Sequence, residues 1–153
     1  MCVTWKSDWE IAKEDIRAYK IVLRRHDGTC CSPLPIKERV PQGIGDSRQG
    51  SVVEYKIGER VTSSRPGIYL LEHLINVEAP NVVMEVTIPK GTWFRRGESA
   101  LHNVVGEVFL VTALNAEEIV VVGECPRQSI SWDATFAWSY VTASTTTATT
   151  STL

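Results

Sequence analysis

Two adjacent cysteines near the N-terminus are the first residues whose type suggests chemistry. Cys30 and Cys31 follow Arg24, Arg25 and His26 across the dipeptide "DG". A cysteine is reactive when a neighbouring cation lowers its pKa and solvent reaches it, so this stretch raises a thiol redox hypothesis. Side chains alternate along a strand, however, so the two thiols cannot point to one side. The alternative is structural: one cysteine packs inward and the other faces a loop.

The patterns that mark metal, phosphate and serine-nucleophile sites are not met. The histidines His26, His73 and His102 stand alone, without HExxH or cysteine at ligand spacing. The stretch "QGIGDSRQG" is rich in glycine, but it lacks the GxGxxG spacing and a following Lys-Ser/Thr, so turns explain it better. No GxSxG is present. We therefore expect neither a metal ion nor a cofactor.

Aromatic side chains offer a binding surface instead of a reaction. The chain has five tryptophans, and aromatic residues supply much of the energy of protein interfaces. The alternative is that the indoles complete the core of a β-rich domain. The predicted binding surface consists of Trp93, Phe94, Trp132 and Trp138.

Two short helices are expected among the elements that position these residues. Ser7 and Glu10 in "SDWEIAKEDI" match a capping box, which predicts a helix over residues 8–13. In "RPGIYLLEHLINVEAP" the apolar residues fit both periodicities, and we expect a strand over 67–71 running into a short helix.

The remaining elements are predicted to be strands. "IRAYKIVLRR" alternates and is followed by Asp27-Gly28, a hairpin signal, and "NVVMEVTIPKG" is the clearest strand. "EVFLVTAL" and "EEIVVVGE" are rich in β-branched residues and predict an antiparallel pair buried on both faces. The predicted fold class is α+β: a mainly antiparallel or mixed β-sheet with one or two short helices.

Length and composition indicate one folded domain with a different C-terminal segment. The 153 residues, 43% of them hydrophobic, suffice for a single core. We assign residues 1–125 to a compact β-rich domain and 126–140 to an aromatic extension. Residues 141–153 form a Ser/Thr-rich tail, expected to be flexible because it lacks apolar groups that would offset its ordering entropy.

Charge and hydropathy exclude several partner classes. The formal net charge is −2, whereas proteins that hold nucleic acid carry a basic excess, so nucleic acid is not an expected partner. No apolar run approaches the roughly 20 residues of a membrane-spanning helix. The N-terminus "MCVTWKSDWE" does not resemble a secretory signal, which favours a cytoplasmic location with reduced thiols.

Several short motifs occur in a recurring order. They are "WEIAKEDIRAYKIVL", "CSP", "EYKIGERV", "PGIYLL", "VTIPKGTWFRRG" and "GEVFLVTAL". This order, over Trp9 to Leu114, resembles a type of small protein found in bacteriophages and bacteria, with a pattern EDIxxYK, SP, YxxG and IPKGxxxxxG. The chain departs from it by the insert around Pro41–Gly50, by Leu34 where an aromatic is usual, and by its tail. The resemblance implies shared ancestry and fold but no reaction.

A looser resemblance concerns ADP-ribosyltransferase domains. The matching order is Arg17 or Lys20 on an early strand, "VTSSRPGIY" with Tyr69, and Glu107 at the start of a late strand. The resemblance implies that Glu107 would stabilise oxocarbenium charge on an NAD ribose, and that Thr62, Ser63 and Ser64 would support the cofactor. No ExE or QxE precedes the late strand.

The leading hypothesis is therefore a non-enzymatic, phage-encoded protein that acts by binding another protein or its own copies. The competing hypothesis is a small NAD-using transferase with Glu107 as its key carboxylate.

Overall fold

The computed structural model describes residues 3–31, 53–65, 67–78, 81–103 and 105–126, together with the backbone of residues 135–136. Its regular structure is β-strand throughout, and no helix occurs among these residues. The strands are β1 (Val3–Trp5), β2 (Glu10–Ile11), β3 (Ile16–Arg24), β4 (Cys30–Cys31), β5 (Arg60–Thr62), β6 (Ile68–Leu71), β7 (Asn76–Val77), β8 (Asn81–Ile88), β9 (Trp93–His102), β10 (Val108–Ala116), β11 (Glu118–Cys125) and β12 (Thr135–Phe136).

One large sheet contains ten of the strands, in the order β1-β9-β10-β6-β3-β8-β11-β5. β2 pairs with β9 and β4 pairs with β3, and every pairing in this sheet is antiparallel. β12 and β7 form a separate parallel pair. The β-rich character expected from the sequence is thus confirmed, and the predicted Asp27-Gly28 hairpin is the β3–β4 connection, with Gly28 at φ 89°.

The short connections between strands show that the sheet is curled, because strands that follow one another in sequence lie far apart in the strand order. β8 and β9 are four positions apart in the strand order, which is about 19 Å in a flat sheet, yet only residues 89–92 connect them, which allows about 18 Å at most between Ile88 and Trp93. β10 and β11 are joined by Glu117 alone. Glu117 N donates to Trp93 O at 3.1 Å, and Ser63 N donates to Glu117 O at 2.9 Å, which ties the two ends of the sheet together.

The curled sheet has apolar side chains on both faces. On β3, Ala18 and Val22 belong to the main core, whereas Ile21 belongs to a second cluster on the other face. The main core also takes the fully buried Leu70 and Leu114 from β6 and β10. This double burial is why "IRAYKIVL" shows apolar residues at nearly every position.

The α+β prediction is wrong, and residues 8–13 show why. Ser7 Oγ does not cap a helix but accepts a hydrogen bond from Arg96 N of β9 at 3.0 Å, and Ala12 N donates to Thr92 O at 2.9 Å. A six-residue helix satisfies few of its own backbone groups and is marginal alone. The edge of β9 offers partners along the same length, so strand pairing prevails over the local signal.

The second predicted helix is also absent, although the strand before it is present as β6. Leu70 and Leu71 are both buried, one in each apolar cluster, which a two-sided sheet permits. The strands predicted in "EVFLVTAL" and "EEIVVVGE" exist as β10 and β11, but they do not pair with each other. The single residue Glu117 between them is shorter than the two-residue loop of the tightest common hairpin.

Candidate functional site

Alternating indole and guanidinium groups lie along the outer side of β9. Arg95 stacks on Trp5 and Trp9, with 4.2 and 4.9 Å from its guanidinium carbon to the ring centroids. Arg65 stacks on Trp9 and Trp93 at 4.4 and 5.4 Å. Each guanidinium therefore lies near two rings, an arrangement that favours the cation electrostatically. We call this series, Trp5–Arg95–Trp9–Arg65–Trp93, the tryptophan–arginine ladder.

Strand register places the members of the ladder. Trp93 and Arg95 are two residues apart on β9 and so point to the same face. β1 pairs with β9 so that Trp5 is opposite Gly97. A Cβ atom at Gly97 would lie 2.7 Å from Trp5 Cε3, so the absence of a side chain there allows the Trp5 indole to lie against β9.

The ladder is charge-balanced at one end and sparsely hydrogen-bonded in its middle. Arg65 Nε donates to Glu117 Oε2 at 2.6 Å, with the two side chains 47% and 32% exposed. Arg95 Nε is buried, and no acceptor among the described residues lies within hydrogen-bond distance of it. Ring contacts with Trp5 and Trp9 are therefore the main interactions the structure shows for the Arg95 guanidinium.

Trp93 is the terminal ring of the ladder and its most open one. It is 40% exposed, and it forms a wall common to two surface grooves. The first, which we call the hydroxyl groove, is lined by Thr62, Ser63, Ser64, Gly91, Thr92, Trp93, Glu117 and Glu118. The second, the apolar groove, is lined by Glu10, Ile11, Ala12, Lys13, Lys90, Gly91 and Trp93.

The two carboxylates of the hydroxyl groove are already paired. Glu117 bonds Arg65, and Glu118 accepts from Arg60 Nη1 at 2.5 Å. A further cation on the open face of Trp93 would lie about 9 Å from Arg65, where repulsion in water is about 0.4 kcal/mol. That offsets a large part of the roughly 0.5–1 kcal/mol that an exposed cation–π contact contributes. The hydroxyl groove, taken by itself, therefore suits an uncharged ligand better than an ionic one.

The predicted binding surface is only partly brought together. Trp93 is exposed and lies on the ladder, whereas Phe94 is 2% exposed and belongs to the main core, so Phe94 offers no surface. Trp132 and Trp138 lie outside the described residues. The ladder residues Trp5, Trp9, Arg65 and Arg95 were not among those predicted. The Trp-x-Arg spacing of Trp93 and Arg95 was the available signal, since it puts both side chains on one strand face.

The residues of the transferase hypothesis are not brought together. Glu107 lies in the exposed turn between β9 and β10, where its amide donates to Asn103 Oδ1 at 2.8 Å. Thr62 pairs with Glu118, at the other end of β10, and β10 alone spans about 27 Å. Tyr69 pairs with Asn115 near that same far end, and Arg17 faces Glu85 at 3.6 Å. The geometry gives this hypothesis no support, and Glu107 instead fixes the hairpin turn.

Cys30 and Cys31 show no feature of an activated thiol. Cys31 is buried and its Sγ lies 3.7 Å from Leu23 O. Burial raises the pKa of Cys30, more than Arg24 lowers it, and a raised pKa reduces the thiolate fraction on which reactivity depends. Among the described residues, no three His, Cys, Asp or Glu side chains cluster as metal ligands would.

A second exposed surface lies at the free end of the β9–β10 hairpin. Val105, Val108, Phe109 and Leu110 are 56%, 57%, 43% and 69% exposed. β9 pairs with this part of β10 on one side, with Leu110 opposite Ala100. On the other side, β6 pairs with β10 only from Ala113 onwards. Among the residues that the structure describes, no strand pairs with Val108 or Leu110 on that side, and an apolar segment with such an edge is the type of surface on which another chain can add a strand.

Comparison with known protein families, with curated proteins and with solved structures finds no match for the chain. The described part of the chain contains no helix of the length and apolar character needed to cross a membrane.

Proposed function

We propose that this protein acts by self-association, through antiparallel pairing of two copies of the exposed part of β10, centred on Leu110. The observation that carries the proposal is the coincidence of three consecutive exposed apolar residues with a strand edge that no described strand pairs with at Val108 and Leu110. Monomeric proteins blunt such edges with charges, prolines or bulges, and none of these interrupts Val108–Leu110.

The backbone groups at this edge have a definite direction. Thr112 O accepts a hydrogen bond from Glu72 N at 3.1 Å, so Thr112 faces the β6 side of β10. Because backbone groups alternate sides along a strand, Leu110 and Val108 face that side too. The short β6, which ends at Leu71, does not extend along them. Their N–H and C=O groups therefore point to the edge where a further strand would pair.

The segment is self-complementary about Leu110. If two copies meet about a two-fold axis at this residue, Leu110 opposes Leu110 and Phe109 opposes Val111 of the partner. Each contact is then repeated by symmetry, as in an isologous interface. Apolar side chains meet on both faces of the new pair. Leu110 and Val108 also continue the row of Leu114 and Ala116, which are core residues, so pairing would extend the main apolar face past the end of the monomer's core.

The resemblance to small phage and bacterial proteins supports the biological setting of this proposal: a phage-encoded binding protein that works in the host cytoplasm. A different protein could add its strand at the same edge. The oligomeric state separates these two partners, because only self-association makes the isolated protein heavier than one chain.

The test compares Leu110→Lys with Ile57→Lys by light scattering coupled to gel filtration. The two positions are matched, since Leu110 is 69% and Ile57 68% exposed, but Ile57 lies away from the β10 edge. We expect a dimer mass for the wild type and for Ile57→Lys, and a monomer mass for Leu110→Lys, because a lysine at the centre would face its own charged copy. A monomeric wild type at all accessible concentrations would overturn the proposal.

A further inference from the structure

We propose a second site: the open part of the Trp93 ring and the hydroxyl groove beside it bind an uncharged saccharide. This site is separate from the β10 edge, since Trp93 begins β9 at the end of the sheet opposite the β9–β10 turn. It therefore concerns an activity beyond self-association.

The platform is held in place before any ligand arrives. Arg65 stacks on Trp93 and is itself fixed by Glu117 and by stacking on Trp9. Trp93 O also accepts a hydrogen bond from Glu117 N at 3.1 Å, which fixes the backbone of Trp93. A flat, preorganised indole suits the C–H face of a pyranose ring, because an aromatic side chain offers a large apolar surface at small cost in conformational entropy.

The groove beside this platform is lined by groups that hydrogen-bond hydroxyls. Ser63, Ser64 and Thr62 contribute hydroxyl groups. The Ser63 hydroxyl already donates to Ser64 O at 3.0 Å and can still accept, whereas those of Ser64 and Thr62 are of a type that can donate and accept. The carboxylates of Glu117 and Glu118 are held by arginines, yet each keeps lone pairs that can accept from a sugar hydroxyl. The groove volume is about 460 Å³, within the range of roughly 300–1,000 Å³ found for small-molecule sites.

The pairing of both carboxylates in the hydroxyl groove with arginines is the feature that favours a neutral ligand there. Each of the two carboxylates in the hydroxyl groove already bonds an arginine, so neither an anion nor a cation would find an uncompensated partner there. A polyhydroxylated, uncharged molecule has no such penalty, and it matches both the apolar platform and the hydroxyl lining.

Gly91 lines both grooves and has no side chain that would separate them. A Cβ built at this residue meets no atom within 4 Å, and φ there is 92°. The site is accordingly an open cleft crossing the Trp93 ring rather than a closed pocket. This shape fits a chain of several sugar units that lies across the surface better than a single enclosed monosaccharide.

The experiment uses the full chain and three neutral probes: cellohexaose, maltohexaose and chitohexaose. Binding is followed through the indole N–H signals of the tryptophans by NMR, with the Trp93 signal assigned by its loss in Trp93→Phe. We expect at least one probe to bind with an affinity in the millimolar range, and to shift the Trp93 signal more than the others. Trp93→Ala should weaken that binding about tenfold or more, because it removes the indole on which the sugar stacks.

Two controls make the outcomes decisive. Ile57→Ala removes an exposed apolar side chain elsewhere and should leave sugar affinity unchanged, and Trp93→Phe should fall between the wild type and Trp93→Ala. A hexa-arginine peptide tests the ionic alternative. The proposal is overturned if none of the three sugars binds at up to about 10 mM, if Trp93→Ala binds as the wild type does, or if only the peptide shifts the Trp93 signal.

Discussion

Gly97→Ala is the substitution that tests how the ladder is built. The added Cβ would lie 2.5 Å from Thr4 O and 2.7 Å from Trp5 Cε3. Both distances are shorter than those that real Cβ atoms keep from non-bonded atoms. Thr4 O is a backbone atom of β1, which pairs with β9 at this point. Relief therefore requires β1 to move away from β9, and the Trp5 ring to move with it.

The expected cost follows from these contacts. Overpacking of this kind costs about 1–3 kcal/mol. Displacement of Trp5 also removes its stacking with Arg95, worth about 0.5–1 kcal/mol where the cation is partly exposed. We therefore expect Gly97→Ala to lower the free energy of unfolding by about 1.5–4 kcal/mol.

Gly123→Ala is the matched control, because Gly123 is also a strand glycine but has no atom within 4 Å of its ideal Cβ. Alanine loses less conformational entropy on folding than glycine, so this variant should be unchanged or more stable by up to about 1 kcal/mol. Urea unfolding followed by tryptophan fluorescence measures both, and near-UV circular dichroism reports the loss of Trp5 stacking. If Gly97→Ala is as stable as Gly123→Ala and keeps its near-UV spectrum, the close approach of Trp5 to β9 is refuted.

Two further predictions concern titratable groups. Burial raises the pKa of Tyr69 to about 12, with the Ser99 hydrogen bond opposing this in part. The unfolded chain releases this proton near pH 10, so the stabilisation is complete below about pH 10 and falls, as pH rises to about 12, by about 1.4 kcal/mol per pH unit. Urea unfolding should show this extra loss in the wild type but not in Tyr69→Phe, and equal losses would contradict it. Burial also raises the pKa of Cys30, so we expect iodoacetamide to modify it at neutral pH more slowly than it modifies glutathione, as measured by peptide mass spectrometry; faster modification would favour the redox hypothesis.

Local patterns predicted the strands better than they predicted strand partners. "NVVMEVTI" alternates, and it is β8 with its bounds almost as predicted. "EVFLVTAL" and "EEIVVVGE" are strands as well, but they do not pair with each other. The first, β10, pairs with β9 and β6, and the second, β11, pairs with β8 and β5. Adjacent strands pair only if the connection can turn back, and a single residue cannot.

The binding surface was predictable only in part. Trp93 was among the four residues predicted to form a binding surface, and it is exposed. Phe94, next to it, faces the core, which follows from alternation once β9 is known to start at Trp93. The arginines between the indoles come from two separate segments, so no window of sequence shows them together.

Alternation and composition by themselves determined that the chain forms β-strands with apolar residues on both faces, and that it has no apolar run as long as a membrane-spanning helix. These properties depend on neighbours a few residues apart, which the sequence displays directly. Tertiary structure alone decided that Ser7 bonds Arg96 and not a helix of its own, and that Trp5 lies on Gly97. It also decided that Trp93 ends a ladder shared with Arg65. Each of these contacts joins residues distant in sequence, and its free energy exists only after the sheet has curled and brought β1, β2 and β9 together.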